Sequence, residues 1–455
     1  MPIKETTKLE EFFNTDYVDS ASYDNLRKIG AITDGLKNSS RKIIHTMIGK
    51  NIKEKTKVAR LASTIAEYTE YLHGEIGLAG VMVNLAQNFV GANNIPFIKR
   101  DGNFGTRHKP AAAAPRYIKT RKEDYLDKIY MKDDYPVLIS QQFEGINIEP
   151  RYFVPIIPML LVNGSEGISS GFAQKILPRD PKIIISELTK ILKGTKKLEN
   201  VKLGSPYWEG FKGKVEEDIE TKGKWLIYGC FNRENKNSIK ITEVPIGFTL
   251  DKYNEILDAL EDRNVIQSYQ DKSDNDIYKF NLKIKRDFAD KYNDEQMYEK
   301  LKLVRSMSEN YTCIDQNNRI KVYNDSEEIF IDYYNLRLDF YGKRKEHLLS
   351  KYKKDIDFLN SRYLFVKGVV DGEILVNNKT KVNITSQLDK IDNILTEEDS
   401  YDYLLKMPIY SLTKEKLDEI KNKIKAAKDL AKDLKDKGLE TLWLEDLDVV
   451  KSLLN

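Results

Sequence analysis

Residues 101–122 read DGNFGTRHKPAAAAPRYIKTRK. Asp101-Gly102 and Asn103 with nearby Gly105 are turn chemistry, because these residue types tolerate positive φ. The four alanines Ala111–Ala114 suit a helical turn, but Pro110 and Pro115 bracket them. Pro115 has no N–H with which to continue a helix. The stretch therefore reads as an irregular, close-packed loop that presents Arg116 and Tyr117, with Arg107, Lys109, Lys119 and Arg121 near in sequence. A helical pattern stops where it begins, and alternating patterns appear further on.

On its N-terminal side, residues 1–24 read as a short arm. Asp34-Gly35 is a turn signal, Asn38 or Ser39 a candidate N-cap, and Ile43, Ile44, Met47 and Ile48 the apolar face of a first helix. A second helix spans 58–72 with Leu61, Ile65 and Tyr68 on one face. His73-Gly74-Glu75 breaks it, and 76–90 reads as a third. Short helices joined by tight turns, with basic residues on the connections, fit a helix-turn-helix or winged-helix module. On the C-terminal side, 224–231, 238–246, 277–284 and 318–324 alternate as strands, with a helix at 250–264. From Ser326 the pattern is helical: Ile329, Tyr333, Leu336 and Phe340, then Tyr352, Ile356, Leu359, Tyr363 and Val366. A matching stripe follows at Leu417, Ile420, Ile424, Ala427, Ala431 and Leu434. These two helices suggest an antiparallel coiled-coil arm with a small globular tip, although an ordinary two-helix hairpin has the same periodicity. The expected class is α+β and multidomain: an arm at 1–24, a helical domain at 25–150, an α/β domain at 151–325, and a coiled-coil arm with its tip at 326–455.

A chain of 455 residues is long enough for roughly three domains. Its net charge of +3 averages over uneven segments. Between Arg27 and Arg60 ten Lys/Arg face two Asp/Glu, and between Lys99 and Lys122 eight face one. A basic N-terminal third on a balanced remainder fits a nucleic-acid site with a scaffold behind it; a solvated lysine-rich surface has the same composition. Two cysteines, Cys230 and Cys313, imply no disulfide framework and a reducing, cytoplasmic compartment. With four scattered histidines they suggest no metal site in this chain. The N-terminus lacks an apolar signal region and no run is long enough to span a membrane, so the expected protein is neither secreted nor membrane-bound. No G-x-x-x-x-G-K-[ST] occurs. Asp274-Asn275-Asp276 imitates a metal-binding pair but reads as a hairpin turn before a strand.

A tyrosine in a basic loop has three readings: it packs, it stacks on a base, or it attacks a phosphodiester and stores the bond as a phosphotyrosyl link. A phenol pKa of ~10 leaves about one part in a thousand ionised at neutral pH, a handicap of roughly 4 kcal/mol. The third reading therefore needs positive charge beside both phenol and phosphate, and an arginine fork such as that of Arg116 suits phosphate oxygens.

ITDGLKNSSRKIIHTM (32–47), YLHGE (71–75), DGNFG (101–105), AAAAPRYI (111–118) and MLLVNGSEGISSGFA (159–173) occur in an order and spacing that resembles the DNA-cleaving subunit of type IIA topoisomerases, the gyrase A and topoisomerase IV A group. The resemblance covers about residues 10 to 450. The short form looks most like the medium subunit of T-even-type bacteriophage topoisomerases, since the chain ends before the DNA-wrapping β-pinwheel of gyrase A; relaxation and decatenation would follow. The resemblance implies a winged-helix DNA-gate domain, an α/β tower, and a coiled coil ending in a small helical C-gate domain that dimerises near Leu404–Pro408 and Leu412–Leu417. It implies that Tyr117 is the nucleophile, bonding to the 5′ phosphate of cut DNA, and that Arg116 steadies the transition state. Arg27, Arg41 and Lys42 match phosphate-contacting cations, His73 matches the histidine of the family's HGD, and Lys37, Lys119 and Arg121 join the DNA-binding set. Ile168 matches the isoleucine that wedges between base pairs. Mg²⁺ and ATP would be held by a separate ATPase/Toprim subunit, and the chain would act on double-stranded DNA as a homodimer. Tyr71 departs from the pattern, standing where the family has a second histidine. Two rivals remain: a tyrosine recombinase or type IB-like strand transferase, and a non-enzymatic DNA-binding scaffold in which Tyr117 only packs or stacks.

Overall fold

The computed structural model describes residues 9–285, 288 and 291–454. Residues 1–8 of the expected arm, 286, 287, 289 and 290 of the α/β region, and Asn455 lie outside the described residues. Contacts divide the chain into two compact units: Leu338–Leu442, and the described residues before and after it.

In the larger unit, a helical run from Leu9 passes through a π turn at Phe13–Tyr17 into α1 (Val18–Lys28). This helix crosses residue 24, where the arm was expected to end. Three helices follow, α2 (Asn38–Gly49), α3 (Val58–Tyr68) and α4 (Glu75–Ala86). Ile43, Ile44, Met47, Leu61, Ile65, Leu78 and Met82, spaced by threes and fours on their helices, are all buried; each such side chain contributes about 1.5–3 kcal/mol relative to exposure. The expected Asn38/Ser39 cap is not formed. Lys37 holds the cap position with an extended backbone and no side-chain cap bond. α3 stops four residues short of the expected end, because Glu70 takes a left-handed conformation at φ 47°. α4 ends at Ala86, where Gln87 turns extended.

Beside these helices lies a three-stranded antiparallel sheet of β1 (Thr56–Lys57), β2 (Ile98–Asp101) and β3 (Lys119–Lys122), in the order β1-β3-β2. The alanine loop connects β2 to β3. A separate hairpin pairs β4 (Ser165–Ile168) with β5 (Ala173–Ile176).

The stretches read as alternating are strands. Cys230–Asn235, Ser238–Glu243, Phe280–Lys283 and Ser268–Asp271 form a four-stranded antiparallel sheet, and Lys214–Glu217, Lys224–Tyr228 and Val304–Ser308 a three-stranded one. The helix Leu250–Asp262, capped by the Thr249 side chain, packs Tyr253 and Leu257 onto Ile239, Ile241, Phe280 and Leu282. Asp274 and Ile277 bridge around a turn with Asn275 and Asp276 at positive φ, so this segment is the hairpin read from sequence.

In the smaller unit, the second half of α5 (Ser326–Val370) runs antiparallel to α6 (Lys414–Asp436). Lys345 Nζ donates to the carbonyls of Lys435 and Lys437 at one end, while Phe365 and Val366 share a core with Ile420 and Ile424 at the other. Ile374, Leu388, Ile394 and Leu404 complete that core. Leu404, expected at a dimer contact, is thus buried within its own chain, whereas Ile409 and Tyr410 are 87% and 74% exposed.

Among the described residues, no helix is long and apolar enough to cross a membrane, and no three His, Cys, Asp or Glu side chains gather as metal ligands.

Candidate functional site

The loop after β2 is held by its backbone. Gly105 takes φ +86°, and a Cβ there would fall 2.2 Å from the Pro110 carbonyl, so only glycine lets the loop fold back so closely. Thr106 N donates to Lys109 O at 2.8 Å and Ala113 N to Asn103 O at 3.0 Å. Gln87, just beyond α4, donates to the carbonyls of Phe104 and Pro110. The first N–H groups of a helix have no partner within it. Those of α3 find theirs in this loop: Val58 N donates to Ile118 O at 3.0 Å and Ala59 N to Pro115 O at 3.2 Å. Arg116 and Tyr117 lie between these two pinned carbonyls, and Tyr117 N closes a turn onto Ala114 O at 2.9 Å. Ile118 is buried, while Tyr117 is 71% exposed. The Arg116 guanidinium sits 4.9 Å from the Tyr117 ring centroid. Lys119 is exposed on β3, and Arg121 pairs with Asp124 at 3.1 Å. Arg107, near in sequence, does not join them: it is buried against Glu243 at 2.7 Å and Val244 O at 3.0 Å.

A second group gathers around the C-terminal turn of α1. The Arg27 guanidinium lies 5.4 Å from the Tyr23 ring. Tyr23 Oη is 2.8 Å from His73 Nε2, and Tyr71 meets the His73 ring edge-on at 5.6 Å. Arg27, Tyr23 and His73 line a cavity of about 260 Å³ together with Tyr71 and Asn38. Lys37 Nζ donates to Glu166 O at 2.6 Å, tying α2 to the hairpin that carries Ile168. Burial pushes the Lys37 ammonium pKa down, and Glu166 opposes it. Ile168 ends β4 beside the hairpin turn and is 77% exposed.

Arg41 and Lys42 are placed otherwise than expected for phosphate contacts. Arg41 donates Nε and Nη2 to the two carboxylate oxygens of Asp34, at 2.7 and 3.1 Å, and Nη2 also to Leu36 O. Lys42 Nζ donates to Glu149 at 2.8 Å and to Thr69 O at 2.6 Å. All four charged side chains are buried. Burial raises the Glu149 carboxyl pKa against the pull of Lys42. Both cations therefore neutralise interior carboxylates.

Sequence reasoning missed Tyr23, Asp24 and Glu149. The Asp24/Lys28 pair carries a local signal at i, i+4; the contacts Tyr23–His73 and Lys42–Glu149 span 50 and 107 residues and carry none.

A family profile describing the A subunit of DNA gyrase and topoisomerase IV matches residues 27–448. The chain is 32% identical over 463 residues to the mitochondrial DNA topoisomerase 2 of Dictyostelium discoideum, covering 99% of this chain and 35% of that protein. It is 30% identical to DNA topoisomerase 2 of Penicillium chrysogenum, covering 96% of this chain and 29% of that protein. The chain thus spans about a third of the length of these relatives, which are eukaryotic proteins rather than bacteriophage ones. Its fold superposes on the DNA-binding, cleavage and re-ligation domain of Plasmodium falciparum topoisomerase II with a TM-score of 0.87 and 31% identity, covering 97% of this chain and 64% of that one.

Proposed function

The chain belongs to the family of the DNA gyrase and topoisomerase IV A subunits, and from that premise we propose that it is the DNA breakage-and-reunion part of an ATP-dependent type IIA topoisomerase. The observation that carries the proposal is one exposed tyrosine, pinned by its flanking carbonyls to a helix N-terminus and lying under a guanidinium.

Tyr117 Oη attacks a backbone phosphorus of duplex DNA. The phenol gives its proton to solvent, the bond from phosphorus to the 3′ oxygen breaks, the phosphate stays on the tyrosine as a 5′-phosphotyrosyl ester, and the 3′ oxygen takes a proton from solvent and leaves as a hydroxyl. Resealing is the same exchange reversed, so the bond energy is conserved. Arg116 stabilises charge on the phosphate oxygens. Arg27, Lys37, His73, Lys119 and Arg121 hold the duplex, and Ile168 wedges into it. Two copies, each giving one tyrosine, cut opposite strands; the three helices and sheet of residues 25–150 form the gate, and the exposed Ile409 and Tyr410 suit the C-gate contact.

Among the described residues no carboxylate cluster suits Mg²⁺, so no step is assigned to a metal on these residues. Mg²⁺ and ATP belong to a separate ATPase/Toprim subunit of the kind the bacteriophage enzyme uses. Free Cys230 and Cys313 suit work in a reducing cytoplasm.

The test is Tyr117→Phe in the chain mixed with its ATPase/Toprim partner. Covalent DNA adduct should fall by about 10³-fold or more while DNA affinity is nearly kept. An adduct on the 3′ phosphate would move the protein to the recombinase or type IB class. Relaxation retained by Tyr117→Phe would leave a DNA-binding scaffold.

A further inference from the structure

Ile168 stands on a narrow support. Its hairpin has two strands of four residues, a size that is marginal alone. The base is well anchored. Gln174, buried in β5, accepts from Gly30 N at 2.8 Å and donates to Gly30 O and Thr312 O. Gly167 packs so closely on the end of α1 that a Cβ would fall 2.0 Å from the Lys28 carbonyl. The tip is different. Ile168 and Phe172 are 77% and 42% exposed, and Gly171 turns between them at φ +77°.

Asp24 reaches this tip from α1. Its Oδ2 accepts from Ser169 Oγ at 2.9 Å, from Ser170 N at 3.1 Å and from Ser170 Oγ at 3.1 Å. Ser169 and Ser170 are the two residues that follow Ile168. Asp24 also pairs with Lys28 one turn along its own helix. Lys28 and then Ser169 hold its carboxyl down to about 2, so the brace stays ionised at neutral pH.

A side chain pushed between base pairs works against a stacking cost of a few kcal/mol. The reaction force falls on the hairpin tip, and a brace is needed where the base anchors do not reach. We propose that Asp24 is the positioning residue for Ile168: it braces the tip against α1, the same helix that carries Arg27 three residues later. Phosphate contact and wedge then move as one body, which fixes the bend imposed on the duplex. The inference rests on the reading of Ile168 as the wedge.

The experiment uses the full chain and a short duplex carrying a donor and an acceptor dye at its two ends. Affinity and end-to-end energy transfer at saturation are read for Ile168→Ala, Asp24→Asn, Ser170→Ala and the Ile168→Ala/Asp24→Asn double variant. Asp24→Asn should keep affinity within about threefold, because phosphate contacts dominate binding, and lose roughly half or more of the bending signal. Ser170→Ala, the milder change, should lose a smaller part, and keeps the test open should Asp24→Asn fold poorly. The double variant should bend no less than Ile168→Ala alone, as expected for residues acting through one wedge. Bending abolished by Ile168→Ala but unchanged in Asp24→Asn and Ser170→Ala would overturn the brace and leave the wedge standing. Bending unchanged in Ile168→Ala would overturn both.

Discussion

Arg41 holds its guanidinium against Asp34 through two bonds, at 2.7 and 3.1 Å, with both side chains buried. Arg116 holds its own 4.9 Å from the ring of a tyrosine that is 71% exposed. Both lie in the basic runs that make the N-terminal third look like a nucleic-acid surface. The difference lies in what the fold brings to them. Asp34 sits one turn before α2, and Glu149 arrives from 107 residues away to meet Lys42. Beside Arg116 lies the ring of its sequence neighbour Tyr117, and Lys119 stands exposed on β3, opposite Asp101 in the strand register. A cation with an interior carboxylate serves stability, and a cation left at the surface is free for an anion from outside.

The sharpest way to break this contrast is Arg41→Ala. It leaves the Asp34 carboxylate buried without its counter-charge, which costs about 3–5 kcal/mol. Urea unfolding should show that loss, and the salt dependence of DNA binding should be unchanged. A flattened salt slope at full stability would put Arg41 on the phosphates after all.

His45 tests the interior side by pH. It is stacked between Tyr68 and Tyr135, and burial, with the charge of Lys42 next, lowers its pKa from 6.5 to about 4. The unfolded chain then binds the extra proton between those values. Stability is fully present above about pH 6.5 and declines as pH falls towards 4. Urea midpoints at pH 7 and pH 5 should differ less in His45→Gln than in the parent protein. Equal differences would mean that the ring charges without penalty.

Lys119→Gln has the smallest effect and probes the outward side. Unfolding should shift by less than about 0.5 kcal/mol. The log–log salt slope of DNA binding should flatten by about 0.9, one phosphate contact. A stability loss with an unchanged slope would place Lys119 with Arg41.

Much of this arrangement was legible before the fold. The apolar spacing at Ile43, Ile44 and Met47, the alternation in 238–246 and the prolines around the alanines are local signals, and local physics acts on them directly. Asn38 is not the cap: Lys37 holds that position, and its side chain reaches Glu166 O, a contact 129 residues away that no local signal announces. The partner of Arg41 is local, Asp34 seven residues before it, but the fates of Arg107 and Lys42 were not legible. Whether a cation ends inside depends on which carboxylate the tertiary fold delivers, and Glu243 is 136 residues from Arg107. The same holds for Asp24, whose partners are 145 and 146 residues away.

The backbone bonds that join the alanine loop to the start of α3 have one further consequence. Because Pro115 O and Ile118 O are already occupied by α3, the backbone that carries the phenol is fixed by the fold itself. The ordering entropy of that segment is lost during folding, not on encounter, so if Tyr117 is the nucleophile proposed above, its own backbone needs little rearrangement when DNA binds.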